Sequence, residues 1–136
     1  MAADGVQLIV VDAANVVGAR PDGWWRDRPG AARRLLERMT GLRAQLTEPA
    51  EMIVVLEGAA KAAVDTAADP DFGGVRVVRA GGSGDDAIVG VVAAARAEDS
   101  SRPITVVTAD RGLRARVAAA RAETVGPNWL LDRLGP

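Results

Sequence analysis

VQLIVVD (Val6–Asp12) is a continuous apolar run of strand length that ends on a carboxylate. A strand that is apolar throughout, rather than at alternate positions, is one buried on both faces. Three further runs resemble it: MIVVLEG (52–58) with Glu57 near its end, VRVVRA (75–80) interrupted by arginines, and RPITVVTAD (102–110) ending at Asp110. A short fifth strand is expected around Glu123–Val125. Helical patterns fill the gaps. After the polar loop GARPDGWWRDRPG (18–30), Ala32, Leu35, Leu36, Met39, Leu42 and Leu46 recur at helical spacing. Asp27 or Arg28 suits the cap of that helix and Pro29 its first turn. AAKAAVDTAA (59–68) reads as a short helix closed by Asp69-Pro70. SGDDAIVGVVAAARA (83–97) is a third helix, with Ser83 and Asp86 at capping-box spacing. RGLRARVAAARA (111–122) and PNWLLDRL (127–134) complete the series, Trp129 reading as core. The βαβαβαβαβα alternation implies a parallel sheet with helices on both faces, joined by right-handed crossovers. No repeat or Pro/Ser-rich linker divides the 136 residues, so one domain over 1–136 is expected.

The absent residue types narrow the chemistry. The chain has no cysteine, histidine or tyrosine, and Lys61 is its one lysine. Disulfides, thiolate zinc sites, cysteine nucleophiles, Ser-His-Asp triads and histidine bases are excluded. Carboxylates, arginines, a few hydroxyls and two asparagines remain. That inventory favours hydrolysis by water activated on a carboxylate-held cation, and leaves binding without catalysis open. The net charge of −1 is not that of a polycation. No apolar run approaches the roughly 18 residues of a membrane span, and MAADGVQ lacks a basic signal-peptide start. A cytoplasmic location, with no membrane partner, is the default expectation.

In doubly wound sheets ligands bind beyond the carboxyl ends of the strands, where strand order reverses. Asp12, Glu57 and Asp110 fall at such ends, and Asp85 and Asp86 open the helix after the third strand on the same rim. Taken singly, these acids are turn and helix caps or favourable charges at a helix N-terminus. Taken together they are costly neighbours unless a cation compensates them. Hard oxygen donors in that number suit Mg²⁺ or Mn²⁺. Asn15 either holds Asp12 or a phosphate, or is a plain turn residue; Thr108 either orients Asp110 or is an ordinary strand residue.

VVDAANVVG, GGSGDDAIV and VVTADRGLR, in this order and spacing, resemble the NYN domain family of the PIN-like nuclease superfamily. The resemblance runs from about Gln7 to Leu134. It implies a PIN-like three-layer α/β/α sandwich with a parallel five-stranded sheet in the order 3-2-1-4-5. It also implies a divalent-metal-dependent ribonuclease that hydrolyses phosphodiester bonds with Mg²⁺ or Mn²⁺. Carried over position by position, Asp12, Asn15, Asp85 or Asp86, and Asp110 match the family's site, with Asp12, Asp86 and Asp110 the leading metal ligands and Asp85 next. Glu57 stands where the family often has Asp; its longer side chain assigns it, with Thr108, a supporting place behind the ligands. Non-catalytic RNA binding as an adaptor, and hydrolysis of a small nucleotide, are the alternative activities.

Arginine is unevenly distributed: seven lie between Arg20 and Arg43 against three acids, and four between Arg111 and Arg121 with none. Both segments start at the acidic rim. Arg20, Arg26 and Arg111 are the leading candidates for holding backbone phosphates, while Arg33, Arg34 and Arg38 read equally as phosphate contacts or as solvated helix faces. Trp24 and Trp25 are adjacent in a polar loop, so both cannot point into a core. One can stack a base of single-stranded RNA while the other packs on the first long helix. GGSGDD lacks the Lys and Ser/Thr of a phosphate-binding P-loop. Substrate choice then rests on the chain's own loops, on a homo-oligomer or on a protein partner.

Overall fold

The computed structural model describes residues 6–20, 23–46, 48–64, 71–72 and 74–134. Its centre is β1 (Gln7–Asp12), which pairs in parallel with β2 (Ala50–Leu56) on one side and β5 (Ile104–Val107) on the other. Being central explains the unbroken apolar run. Ile9 and Val11 enter one core and Leu8 and Val10 the other, so neither face of the strand meets water.

β4 (Val75–Arg79) pairs in parallel with β2, and β6 (Glu123–Val125) with β5. The five parallel strands thus follow the expected order 3-2-1-4-5. An unexpected sixth, β3 (Asp71–Phe72), runs antiparallel along the β4 edge, giving β3-β4-β2-β1-β5-β6. Gly74, at φ 89°, makes the left-handed turn between β3 and β4. A two-residue strand carries too little periodicity to be read in advance.

One face is covered by α1 (Ala13–Gly18), α2 (Arg28–Gln45) and α5 (Pro127–Leu134), whose Val16, Leu36, Met39 and Leu130 share a core with Ile9, Val11, Met52 and Val54. The other carries α3 (Gly84–Glu98) and α4 (Arg111–Ala118), which pack Ile88, Val92, Leu113 and Val117 on Leu8, Val10, Ile53 and Val106. Trp129 is half-buried against the first core, with Arg133 4.0 Å over its ring. Among the described residues, no helix is long and apolar enough to cross a membrane.

The helix boundaries follow their caps. Asp27 caps α2 by accepting from the Gly30 amide, with Pro29 in the first turn, and Ser83 caps α3 by accepting from the Asp86 amide. Two segments differ from expectation. The loop after Asp12 begins as α1, because Asp12 caps it and Val16 has core to enter; it is too short to show a helical period. The helix expected over 59–68 is not α-helical where it is described: Gly58–Ala63 is a 3-10 helix, and residues 65–70, with the expected stop at Asp69-Pro70, lie outside the described residues. That segment is fastened from outside, Lys61 Nζ donating to the Ala80 carbonyl at 2.9 Å and Arg33 to the Ala63 carbonyl at 3.0 Å.

Leu36 is fully buried between α2 and the sheet. Leu36→Ala should lower unfolding stability by about 2–5 kcal/mol, read from urea denaturation midpoints.

Candidate active site

Strand order reverses between β1 and β5, and the crevice at their carboxyl ends is closed by a chain of hydrogen bonds. Asp12, 4% exposed, accepts the Thr108 hydroxyl at 2.9 Å through Oδ2 and faces the Asn15 amide at 3.4 Å through Oδ1. The Thr108 oxygen accepts the Asp110 amide at 3.1 Å, and Asn15 Oδ1 accepts the Ala109 amide at 2.9 Å. Asp110 caps α4, taking the Leu113 amide at 2.9 Å. Asp12, Asn15, Thr108 and Asp110 therefore form one connected unit. Arg114, which the sequence reading did not single out, completes it: its Nε donates to the Thr108 carbonyl at 3.0 Å. The signal was there in its place one turn into the helix that Asp110 caps.

Glu57 reaches across the rim to α3. Its Oε2 accepts the Gly84 amide at 3.0 Å, and a Cβ at position 84 would stand 2.9 Å from Oε1. A side chain at position 84 would require the Glu57 carboxylate to shift. Gly58, at φ 57°, turns the chain away immediately after Glu57. The longer side chain at this position thus spans a gap to a helix N-terminus, where an anion is favoured.

The adjacent acids of α3 have different surroundings. Asp86 is exposed and its Oδ1 takes a hydrogen bond from Arg116 at 3.0 Å. Asp85 is half-buried, and its carboxyl is pushed above the usual carboxylate range, first by burial and then by Asp110 and Glu57; Arg116 opposes the shift and Asp86 adds to it. Asp12 is raised too, first by burial; hydrogen bonds from Thr108 and Asn15 oppose the shift, and Asp85 and Glu57 add to it. Asp12, Glu57, Asp85 and Asp110 share one electrostatic field, while Asp86 is turned to Arg116.

These hard oxygen donors suit Mg²⁺ or Mn²⁺ in chemistry, and their mutual repulsion is what a cation relieves. As placed, no three acidic or other ligating side chains among the described residues stand close enough together to hold an ion.

Beside the acids, Trp24–Arg26 forms a 3-10 turn. Trp25 is 53% exposed and meets Trp24 edge to face, with ring centroids 6.0 Å apart. Arg26 lies 5.9 Å over Trp25 and Arg28 5.4 Å over Trp24, placing cations on both rings. Arg20 is half-buried just past α1, and Arg111 is exposed at the start of α4.

No family model matches the chain. No curated protein matches it in sequence. Among solved structures, a crystal structure of Rae1 (YacP) from Bacillus subtilis superposes with a TM-score of 0.73. The match covers 95% of this chain and 75% of that one, at 19% identity. It establishes the likeness of the fold.

A carboxyl whose folded-state pKa is raised binds its proton more tightly in the folded chain than in the unfolded one. The stability this contributes is present below the unfolded value, about pH 4, and is lost as pH rises through the folded pKa. Asp12→Asn removes that loss. In EDTA its melting temperature relative to wild type should therefore be higher at pH 8 than at pH 4; a flat difference across paired melting curves would contradict the burial-driven shift.

Proposed function

We propose that this protein is a divalent-metal-dependent ribonuclease of the NYN type. The observation that supports this reading best is the buried Asp12, linked through Thr108 to Asp110 at the switch point and sharing its field with Asp85 and Glu57. A purely structural site has little reason to hold a carboxylate out of water beside others of like charge.

Asp12, Asp85 and Asp110 are the residues that would hold a cation; Asp85 replaces Asp86 as the α3 ligand because Asp86 is engaged with Arg116. When bound, Mg²⁺ or Mn²⁺ would supply positive charge for the phosphodiester and lower the pKa of water. The chain's own contribution is positional. Thr108 and Asn15 fix the Asp12 carboxylate, and the Leu113 amide leaves Asp110 one oxygen to offer. Arg20, Arg26 and Arg111 flank the rim and would hold phosphates of a single-stranded RNA, with exposed Trp25 as a surface for stacking.

The separation of the acids favours one second reading, a module of the same fold that binds RNA without cutting it. One assay separates the two. Incubated with Mn²⁺, the wild type should cleave unstructured RNA, EDTA should stop it, and Asp12→Asn, Asp85→Asn and Asp110→Asn should each lower the rate by at least about a hundredfold. Asp86→Asn should change it much less. Binding without cleavage in Mg²⁺ or Mn²⁺ would assign the non-catalytic reading. Arg20→Ala with Arg26→Ala should weaken RNA binding and reduce the slope of log K against log salt by about two; an unchanged slope would remove these arginines from the interface.

A further inference from the structure

The first two turns of α4 carry three arginines, and each is in a different state. Arg111 is exposed at the start of the helix. Arg116 is paired with Asp86 at 3.0 Å. Arg114 is half-buried, and its Nε donates to the Thr108 carbonyl at 3.0 Å. That bond uses one N–H of the guanidinium and leaves those of its two terminal nitrogens. The terminal nitrogens make no hydrogen bond or ion pair with any described residue. Gly126, immediately before α5, lies alongside them: a Cβ there would stand 3.7 Å from Arg114 Nη2. Neither α4 nor α5 carries an acid in its first turn, so no carboxylate of those turns competes for the group.

We infer that Arg114 forms a phosphate subsite, holding one backbone phosphate of the RNA on the β6 side of the acids. The inference rests on the ribonuclease reading for its substrate and adds the subsite. A guanidinium fork matches two oxygens of a phosphate, and hydrogen bonds charged on both sides are the strong ones. A mobile arginine gives up rotamer freedom when it binds an anion. Arg114 gives much of it up on folding, because the Thr108 carbonyl holds its Nε. Arg116, by contrast, must first leave Asp86. The tether also places the cation beside the chemistry. Thr108 offers its carbonyl to Arg114 and its hydroxyl to Asp12, so a single residue lies between the guanidinium and the buried acid. A strand crossing this rim is repelled by Asp12, Asp85 and Asp110, and a fixed cation next to them offsets that repulsion.

The test reads phosphate contacts from the salt dependence of binding. Fluorescein-labelled octauridylate and octaadenylate are titrated with the protein in EDTA at several KCl concentrations and followed by anisotropy. Arg114→Gln should reduce the slope of log K against log salt by about one, equally for both oligomers. A second pair of variants leaves Arg114 on Thr108. Gly126→Asp sets a carboxylate beside the fork, and Gly126→Asn adds the same bulk without charge; just before a helix both residues are favoured. Gly126→Asp should lower affinity and slope as far as Arg114→Gln does, and Gly126→Asn should not. The Asp effect should vanish when Arg114→Gln is combined with it. If Arg114→Gln does not fold, the Gly126 pair decides. Equal behaviour of Gly126→Asp and Gly126→Asn overturns the inference, since Arg114 then acts only on Thr108. A loss confined to one oligomer overturns it as well, because a phosphate contact is blind to the base. Cleavage of the same RNAs by wild type in Mn²⁺ is scored in parallel. Cleavage with an unchanged slope overturns the inference alone. The expected slope loss without cleavage overturns the ribonuclease reading and leaves the subsite standing. No binding of either oligomer by wild type overturns both.

Discussion

The hydrogen bond from the Thr108 hydroxyl to Asp12 joins the ends of β1 and β5 where the sheet changes direction. A carboxylate that is 4% exposed is disfavoured as a charge, and burial pushes its pKa up. What keeps it tolerable is the number of donors aimed at it from two sides of the crevice. The hydroxyl that donates to Asp12 also accepts from the Asp110 amide, so moving one residue displaces the other. Asn15 repeats the arrangement, facing Asp12 with its amide and binding Ala109 with its side chain. The rigid half of the site is made this way, from strand ends and their first loops.

The other half is held more loosely. Asp85 and Asp86 open α3, where the helix dipole favours both, yet it is the Asp85 carboxyl whose pKa is raised, first by burial and then by Asp110 and Glu57. Arg116 from the neighbouring α4 takes Asp86, an exposed pair of small energetic weight that nevertheless sorts the two carboxylates by direction. Glu57 is sorted in the same manner by the Gly84 amide. The like charges are thus distributed around the rim, which limits their repulsion.

The tryptophan turn gives this rim an asymmetric border. On the β5 side lies α4, with Arg111, Arg114 and Arg116 on its first two turns; on the β2 side lie two indoles stacked with arginines over an apolar slot. The two borders therefore differ in character, one cationic and polar, the other aromatic and apolar.

The parallel sheet was legible because burial on both faces writes itself as uninterrupted apolar runs, and because every strand end carrying an acid fell on the same edge. Helix starts at Asp27 and Ser83 were legible from their caps. The single turn of α1, the 3-10 helix at Gly58–Ala63 and the two-residue β3 were not, since each is shorter than the period by which it would be recognised. Site membership divides in the same way. That Asp12 and Asp110 lie together follows from sequence position once a parallel sheet is granted. The choice between Asp85 and Asp86 does not, because neighbours on a helix differ by about 100° in direction and an arginine thirty residues away decides which is engaged. Nor does the apolar slot beside the rim, lined by Ala13 and Val17 of α1, by Trp24 with Arg28 and Ala32 at the start of α2, and by Glu57 and Ala60 after β2. Local periodicity is a property of the chain, whereas a surface built from three separated segments exists only after they pack.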